Sequence, residues 1–385
     1  MYHRIINRDS LRACAKEISQ RKGTGIGIDG IPVKKTKEHI DNIMDSLIIQ
    51  LENGTYVPEA IKRVGIPKFN GGTRFIGIPT IADRVIQLSM VKVLDPVLDR
   101  TFSNFNYGFR KNRNVKQCIE QAKAYLNNGY DIIIQLDLKN CFDMISHDKL
   151  MSELYKTIKD VQVLSLIRKY LRCKVVYEGK VFEKPEGLGT VQGGCISPLL
   201  ANVYLNVLDK EISRRDIRAV RYADDIVLFC KSNNSAYATL HRISRFIERD
   251  MMLEVNRTKT HVTTPKDCNM LGFKFRKEQG LYYSCVPKET VQKLRASIYE
   301  IVRKANSFEE AKKLIHDKIT GWFAYFRNAD VLSNRRMHYI DRTILEALYH
   351  KYPLGYDIKD YKDMLCKDSL NLSLIKLNKK LSDNE

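Results

Sequence analysis

Ala219-Val220-Arg221-Tyr222-Ala223-Asp224-Asp225-Ile226-Val227-Leu228-Phe229 is the stretch on which the reading of this chain turns. β-prone residues flank a polar tip, the pattern of a β-hairpin carrying two carboxylates at its turn. An Asp-Asp pair by itself is most often turn chemistry. Here the flanks are apolar, so the two side chains repel each other and lose hydration, a combination that a bound cation relieves. A second apolar run, Asp131-Ile132-Ile133-Ile134-Gln135-Leu136-Asp137, ends on a third carboxylate. Carboxylates converging from two strand ends suit a pair of Mg²⁺ ions, which prefer oxygen ligands and keep places for substrate phosphates. Two such ions can hold the attacking and leaving oxygens of an in-line phosphoryl transfer. Asp137, Asp224 and Asp225 are therefore the candidate catalytic and metal-binding residues.

With 385 residues and 44% hydrophobic content, the chain can hold two or three domains around a substantial core. A net charge of +20 suits a polyanionic partner such as nucleic acid, although a basic surface alone would give the same number. The nine cysteines (14, 118, 141, 173, 195, 230, 268, 285 and 366) form no Cys-x-x-Cys pair and have no histidine at zinc spacing. They read as reduced core residues of a cytosolic protein. No run reaches membrane-spanning length and no signal-peptide core is present, so no membrane association is expected.

Apolar periodicity predicts helices over 9–21, 35–53, 81–98, 114–127, 147–172, 197–213 and 235–250, and over 288–304, 307–328 and 334–350. Hairpins are expected at 61–78, around Phe69-Asn70-Gly71-Gly72, and at 174–184. Short strands are expected near 260–264, 271–276 and 281–286. Gly23 to Gly30 resembles a dinucleotide loop only superficially, since no strand precedes it and its glycine spacing is wrong. Between the carboxylates lies Gly189-Thr190-Val191-Gln192-Gly193-Gly194-Cys195-Ile196-Ser197-Pro198. Its glycines allow backbone to approach a ligand closely, and Ser197-Pro198 opens a helix.

Several ordered blocks together resemble the reverse transcriptases of group II introns, proteins that double as splicing maturases. These are Gly27-Ile28-Asp29-Gly30; Ile66-Pro67-Lys68 through Arg74 to Pro79; Tyr107-Gly108-Phe109-Arg110; Leu136-Asp137-Leu138 with Cys141-Phe142-Asp143; Gln192-Gly193-Gly194; Tyr222-Ala223-Asp224-Asp225; Leu253-Glu254-Val255-Asn256 with Lys259-Thr260; and Met270-Leu271-Gly272-Phe273. The resemblance covers roughly residues 20–330. It implies RNA-directed DNA synthesis from dNTPs on a primer 3′-hydroxyl, with two Mg²⁺ ions for which Mn²⁺ can substitute. The metal ligands would be Asp137, Asp224 and Asp225 with the Leu138 carbonyl. Lys68, Arg74 and Lys259 would serve the triphosphate, and Gln192 with Gly193 would pack near the nascent base pair. Phe142 would exclude the ribose 2′-hydroxyl. Arg110, Tyr222, Gly272, Trp322 and Arg327 would contact nucleic acid, the last two from a thumb segment, Ile315 to Arg327, that holds the single tryptophan.

The implied fold class is α+β: a right-hand polymerase with fingers, a palm of antiparallel sheet plus helices, and an α-helical thumb. Residues 1–128 would form the N-terminal extension and fingers, which continue into part of 147–190. Residues 129–286 would form the palm with the catalytic aspartates, and 287–350 a maturase X-like thumb. Residues 351–385 would be a short tail without a nuclease domain. The implied partners are an RNA template, a DNA or RNA primer, dNTPs and a structured intron RNA, in a bacterial cytoplasm. A splicing cofactor with secondary polymerase activity remains a second reading. A free-standing enzyme recruited to phage defence or DNA repair is a third, because the resemblance fades after about residue 330.

Overall fold

The computed structural model describes residues 1–21, 25–67, 71–182, 185–331 and 334–353. In chain order these form helices α1 (Tyr2–Ile5), α2 (Arg8–Ser19) and α3 (Thr36–Glu52); strands β1 (Ile61–Pro67) and β2 (Thr73–Ile78); and helices α4 (Ile81–Leu98) and α5 (Val115–Asn127). Strands β3 (Ile132–Leu136) and β4 (Leu138–Lys139) precede helices α6 (His147–Thr157) and α7 (Val161–Leu171) and strands β5 (Val175–Tyr177) and β6 (Lys180–Phe182). Helix α8 (Ser197–Arg214), strands β7 (Arg218–Tyr222) and β8 (Asp225–Cys230), helix α9 (Asn233–Arg249) and strands β9 (Glu254–Val255) and β10 (His261–Thr263) follow. Strands β11 (Lys274–Glu278) and β12 (Leu281–Cys285) and helices α10 (Lys288–Lys304), α11 (Phe308–Phe326) and α12 (Asn334–Lys351) complete the described chain.

Local chemistry sets many of these boundaries. Side chains of Asn7, Thr80, Ser146, Asp160, Ser232 and Ser307 accept from backbone N–H groups that open α2, α4, α6, α7, α9 and α11. Each meets donors that the helix itself leaves unpaired. Helix α4 is buried on nearly every side, including Asp83, Arg84 and Gln87, and so acts as a central pillar rather than an amphipathic surface helix. Helix α1 has no strong sequence signal. It is fixed by distant partners: Tyr2 donates its hydroxyl to the Leu51 carbonyl, and the N-terminal ammonium pairs with Asp160.

Two compact units result. Unit one holds Met1–Cys118 with Ile134–Val262; unit two holds Ile119–Ile133 with residues from Thr263 onward. Unit one has a sheet in the order β2-β1-β5-β6, with β1–β2 antiparallel and β1–β5 parallel. A second sheet runs β10-β3-β8-β7, so the strand leading to Asp137 lies beside the strand that starts at Asp225. Both faces of that sheet are covered: Ile133 and Ile134 of β3 and Ile226 to Cys230 of β8 are all buried. In unit two, the β11–β12 hairpin and helices α10 to α12 surround a core that includes Phe273, Phe275, Ile298, Ile315 and Ile344. None of the eight described cysteines forms a disulfide, and among them only Cys195 is less than fully buried. Among the described residues no helix is long and apolar enough to cross a membrane.

Candidate active site

Tyr222 and Asp225 pair across the hairpin, which leaves Ala223 and Asp224 as its two-residue loop. Ala223 takes the left-handed region with φ at 59°. A residue with a Cβ adopts that conformation only when its surroundings hold it there. Gly108 supplies part of that hold: a Cβ on it would lie 2.1 Å from the Ala223 nitrogen, so glycine is required for the loop of residues 105–108 to lie against the turn.

The third carboxylate is set by a different device. The apolar run forms one strand, β3, and Asp137 follows directly at its end, before the short β4. There the Asp137 N–H donates to Thr260 Oγ1 at 3.1 Å, and its carbonyl accepts from the Asn256 N–H at 2.9 Å. Asn256 Nδ2 also donates to Asp137 Oδ2 at 2.8 Å, which fixes the carboxylate itself. Lys259 Nζ stands 3.6 Å from the same oxygen and is 67% exposed. Asn256 and Thr260 are orienting residues to which the sequence alone assigned no role.

The three carboxylates feel one another. Asp225 is pushed up to about 6, first by burial of the carboxyl among its neighbours, then by the charges of Asp224 and Asp137; Lys259 and Arg74 pull the other way. Its side chain nonetheless keeps an exposed rim, as does that of Asp224. Among the described residues no three His, Cys, Asp or Glu side chains make a ready-formed metal cage. Mg²⁺ does not need one: it binds through one or two carboxylates and takes its other oxygens from water and substrate phosphates. A mutually repelling, solvent-reachable carboxylate group therefore fits divalent cations, with the Leu138 carbonyl in the segment next to Asp137.

The remaining expected residues fall into three groups. Some are brought to one neighbourhood. The Phe142 carbonyl accepts from the Thr190 N–H at 2.8 Å, which ties the half-buried Phe142 segment to the glycine-rich loop. The Gln192 carbonyl accepts from the Gly77 N–H at 2.7 Å, and a Cβ on Gly193 would strike the Gly77 carbonyl. That loop thus lies on β2, the strand that carries the exposed Arg74. Lys68 lies outside the described residues. Gly272, Trp322 and Arg327 belong to unit two. There Gly272, at φ +84°, meets the edge of Phe326, and Trp322 packs on Phe326 at 4.7 Å between ring centres. Arg327 is exposed at the end of α11, and Phe323 and Phe326 are core.

Arg110 is a correction. It was expected to contact nucleic acid, but its side chain is only 6% exposed and is consumed inside the fold. It pairs with Asp99 and donates to the carbonyls of Ser103, Asn106 and Asp99. Those carbonyls shape the loop that leads to Gly108, so Arg110 is structural.

The family described as Reverse transcriptase (RNA-dependent DNA polymerase) matches residues 66–275. The chain is 27% identical over 322 residues to Protein YkfC of Escherichia coli K12, covering 72% of this chain and 84% of that protein. It is 29% identical over 254 residues to Group II intron-encoded protein LtrA of Lactococcus lactis subsp. cremoris, covering 64% of this chain. It spans only 41% of LtrA's length. Apo telomerase from Candida tropicalis is similar in fold, with a TM-score of 0.50 at 13% identity, covering 82% of this chain and 68% of that one.

Proposed function

The chain belongs to the reverse transcriptase (RNA-dependent DNA polymerase) family, and from that premise we propose that it extends a primer 3′-hydroxyl with deoxynucleotides, copying an RNA template. One observation carries the reading. Asp137 and Asp225 stand at the ends of adjacent strands with Asp224 beside them, and burial first, then the neighbouring Asp224 and Asp137, raises the Asp225 carboxyl. Divalent cations held by these carboxylates and the Leu138 carbonyl, Mg²⁺ with Mn²⁺ as a substitute, would supply Lewis-acid stabilisation of the oxygens that attack and leave the α-phosphate.

The chain's own residues do the rest. Asn256 and Thr260 hold Asp137 in one orientation, so its carboxylate needs no reorganisation when a ligand arrives. Arg74 grips the triphosphate with paired N–H donors, and Lys68 adds a point charge. Lys259 serves the same phosphates and can protonate the leaving pyrophosphate. The Phe142 ring excludes a ribose 2′-hydroxyl, by volume and by giving it no hydrogen-bond partner. Gln192 and Gly193 pack against the nascent base pair. Tyr222, Gly272, Trp322 and Arg327 contact template and primer. Residues 1–128 with part of 147–190 act as fingers, 129–286 as palm and 287–350 as thumb. Similarity to an intron-encoded protein, with a net charge of +20, favours intron RNA as a further partner and a maturase role.

The test is extension of a DNA-primed RNA template with dNTPs or NTPs, with Mg²⁺ or with chelator. Metal-dependent product from dNTPs alone, lost in Asp224→Asn while RNA binding persists, is the expected result. Extension by a clean Asp224→Asn preparation would overturn the site assignment. No extension by the parent on any primed template would overturn the polymerase reading, and selective binding of one intron RNA would then carry the maturase role.

A further inference from the structure

Behind the catalytic turn lies a polar cluster sealed from water. Arg221 and Asp209 are both 0% exposed and form a two-pronged ion pair, Nε to Oδ1 at 2.8 Å and Nη2 to Oδ2 at 2.6 Å. The remaining guanidinium nitrogen, Nη1, donates to Asn202 Oδ1 at 3.0 Å and to the Ala223 carbonyl at 2.8 Å. Asn202 is itself buried and donates from Nδ2 to the Gly108 carbonyl at 2.8 Å. Asn106 Nδ2 reaches Asn202 Oδ1 at 3.3 Å, and Asn106 Oδ1 accepts from the Gly108 N–H at 3.1 Å. The Arg221 backbone also bonds to that loop, to the Phe105 carbonyl and the Tyr107 N–H, each at 2.8 Å.

A buried ion pair is an expensive way to stabilise a core. Apolar residues of similar size often serve as well or better. What apolar residues cannot do is donate to the carbonyl of the one left-handed residue between Tyr222 and Asp224. We propose that Arg221 is a positioning residue: clamped by Asp209 and Asn202, it holds the Ala223 carbonyl, while Gly108 lies close against the Ala223 nitrogen. Asp224 and Asp225 are thereby kept aimed at their cations. The assignment rests on the polymerase reading for its purpose, but its physical content is the rigidity and cation affinity of residues 222–226.

The test uses the paired replacement Arg221→Met with Asp209→Leu, which removes both charges together and so avoids stranding either. The readouts are melting temperature, amide hydrogen exchange of residues 222–226 without metal, and Mn²⁺ affinity by electron paramagnetic resonance, all without template or dNTP. Failure of the parent to polymerise would therefore sink the function reading without touching this one. The expected result is a melting temperature within a few degrees of the parent, about tenfold faster exchange confined to 222–226, and Mn²⁺ binding weakened by about tenfold, roughly what one charge-assisted hydrogen bond is worth. Parental exchange and parental Mn²⁺ affinity would overturn the proposal. So would exchange that rises equally throughout unit one, because that describes a general loss of stability. If the paired variant does not fold, Asn202→Ala is measured in the same way. It removes the acceptor that shares Arg221 Nη1 and the donor to Gly108, and a smaller rise in exchange confined to the turn is expected. No local rise there would refute the assignment.

Discussion

Asp225→Asn should make the metal-free protein more stable while destroying its activity, and the gain should grow between about pH 4 and 6 and be complete above that window. Asp225 is raised from 3.8 to about 6 by burial and by Asp224 and Asp137. Between about pH 4 and 6 the folded chain keeps a proton on Asp225 that the unfolded chain has released. Stability therefore falls as pH rises through that window and stays lower above it. A shift of that size corresponds to at most about 3 kcal/mol. The side chain keeps an exposed rim, and solvent screening reduces the share that stability registers to about 1 kcal/mol. For a chain of this length that is a rise in melting temperature of about 1 °C. The assay is thermal unfolding in chelator at pH 3.5 and pH 7.5. The variant should come close to the parent at pH 3.5, where Asp225 is mostly protonated in both the folded and the unfolded chain, and exceed it at pH 7.5. Adding Mg²⁺ at pH 7.5 should stabilise the parent and erase the advantage. A variant that is equally or less stable than the parent at pH 7.5 in chelator would refute the claim that the three carboxylates share a repulsive site.

Replacing Phe142 with Ala should admit ribonucleotides, lowering discrimination between dNTPs and NTPs by about 10- to 200-fold in single-nucleotide extension. Arg110→Ala should cost about 3 kcal/mol of stability in denaturant unfolding, because it strands Asp99 and several loop carbonyls. Folded Arg110→Ala should bind RNA with the parental salt dependence; a shallower salt slope would restore Arg110 as a phosphate contact. Gly108→Ala should lose extension activity and about 1–3 kcal/mol of stability, since its Cβ has no room beside the Ala223 nitrogen. Unchanged melting and extension in that variant would show that the turn does not depend on this close approach.

Much of the fold and the centre of the site were legible in the chain. Helix α4 was read at 81–98 and found at Ile81–Leu98, and α10 was read and found at 288–304. These segments carry their own signals, in the threonine cap of α4 and in the 3.6-residue periodicity of α10. The Asp-Asp hairpin was legible for the same reason, because two short apolar runs around a polar pair specify pairing locally. Helix α1 was not legible, since partners some 50 and 160 residues away hold it. Nor was the hold on the Asp137 carboxylate and backbone, which Asn256 and Thr260 supply from more than 100 residues downstream.

By itself, then, the amino-acid sequence determined which residues could carry the chemistry: three aspartates, a basic strand, a glycine-rich loop and the Phe142 ring. Periodicity, capping and composition are properties of neighbours along the chain. Only the tertiary structure decided how each group is used. Arg110 and Arg221 both sit in charged or aromatic motifs and look alike on paper. Burial turned one into the brace of a loop and the other into the holder of the Ala223 carbonyl. An arginine's role depends on what removes it from water, and Asp99, Asp209 and Asn202 reach these side chains only after the chain has folded.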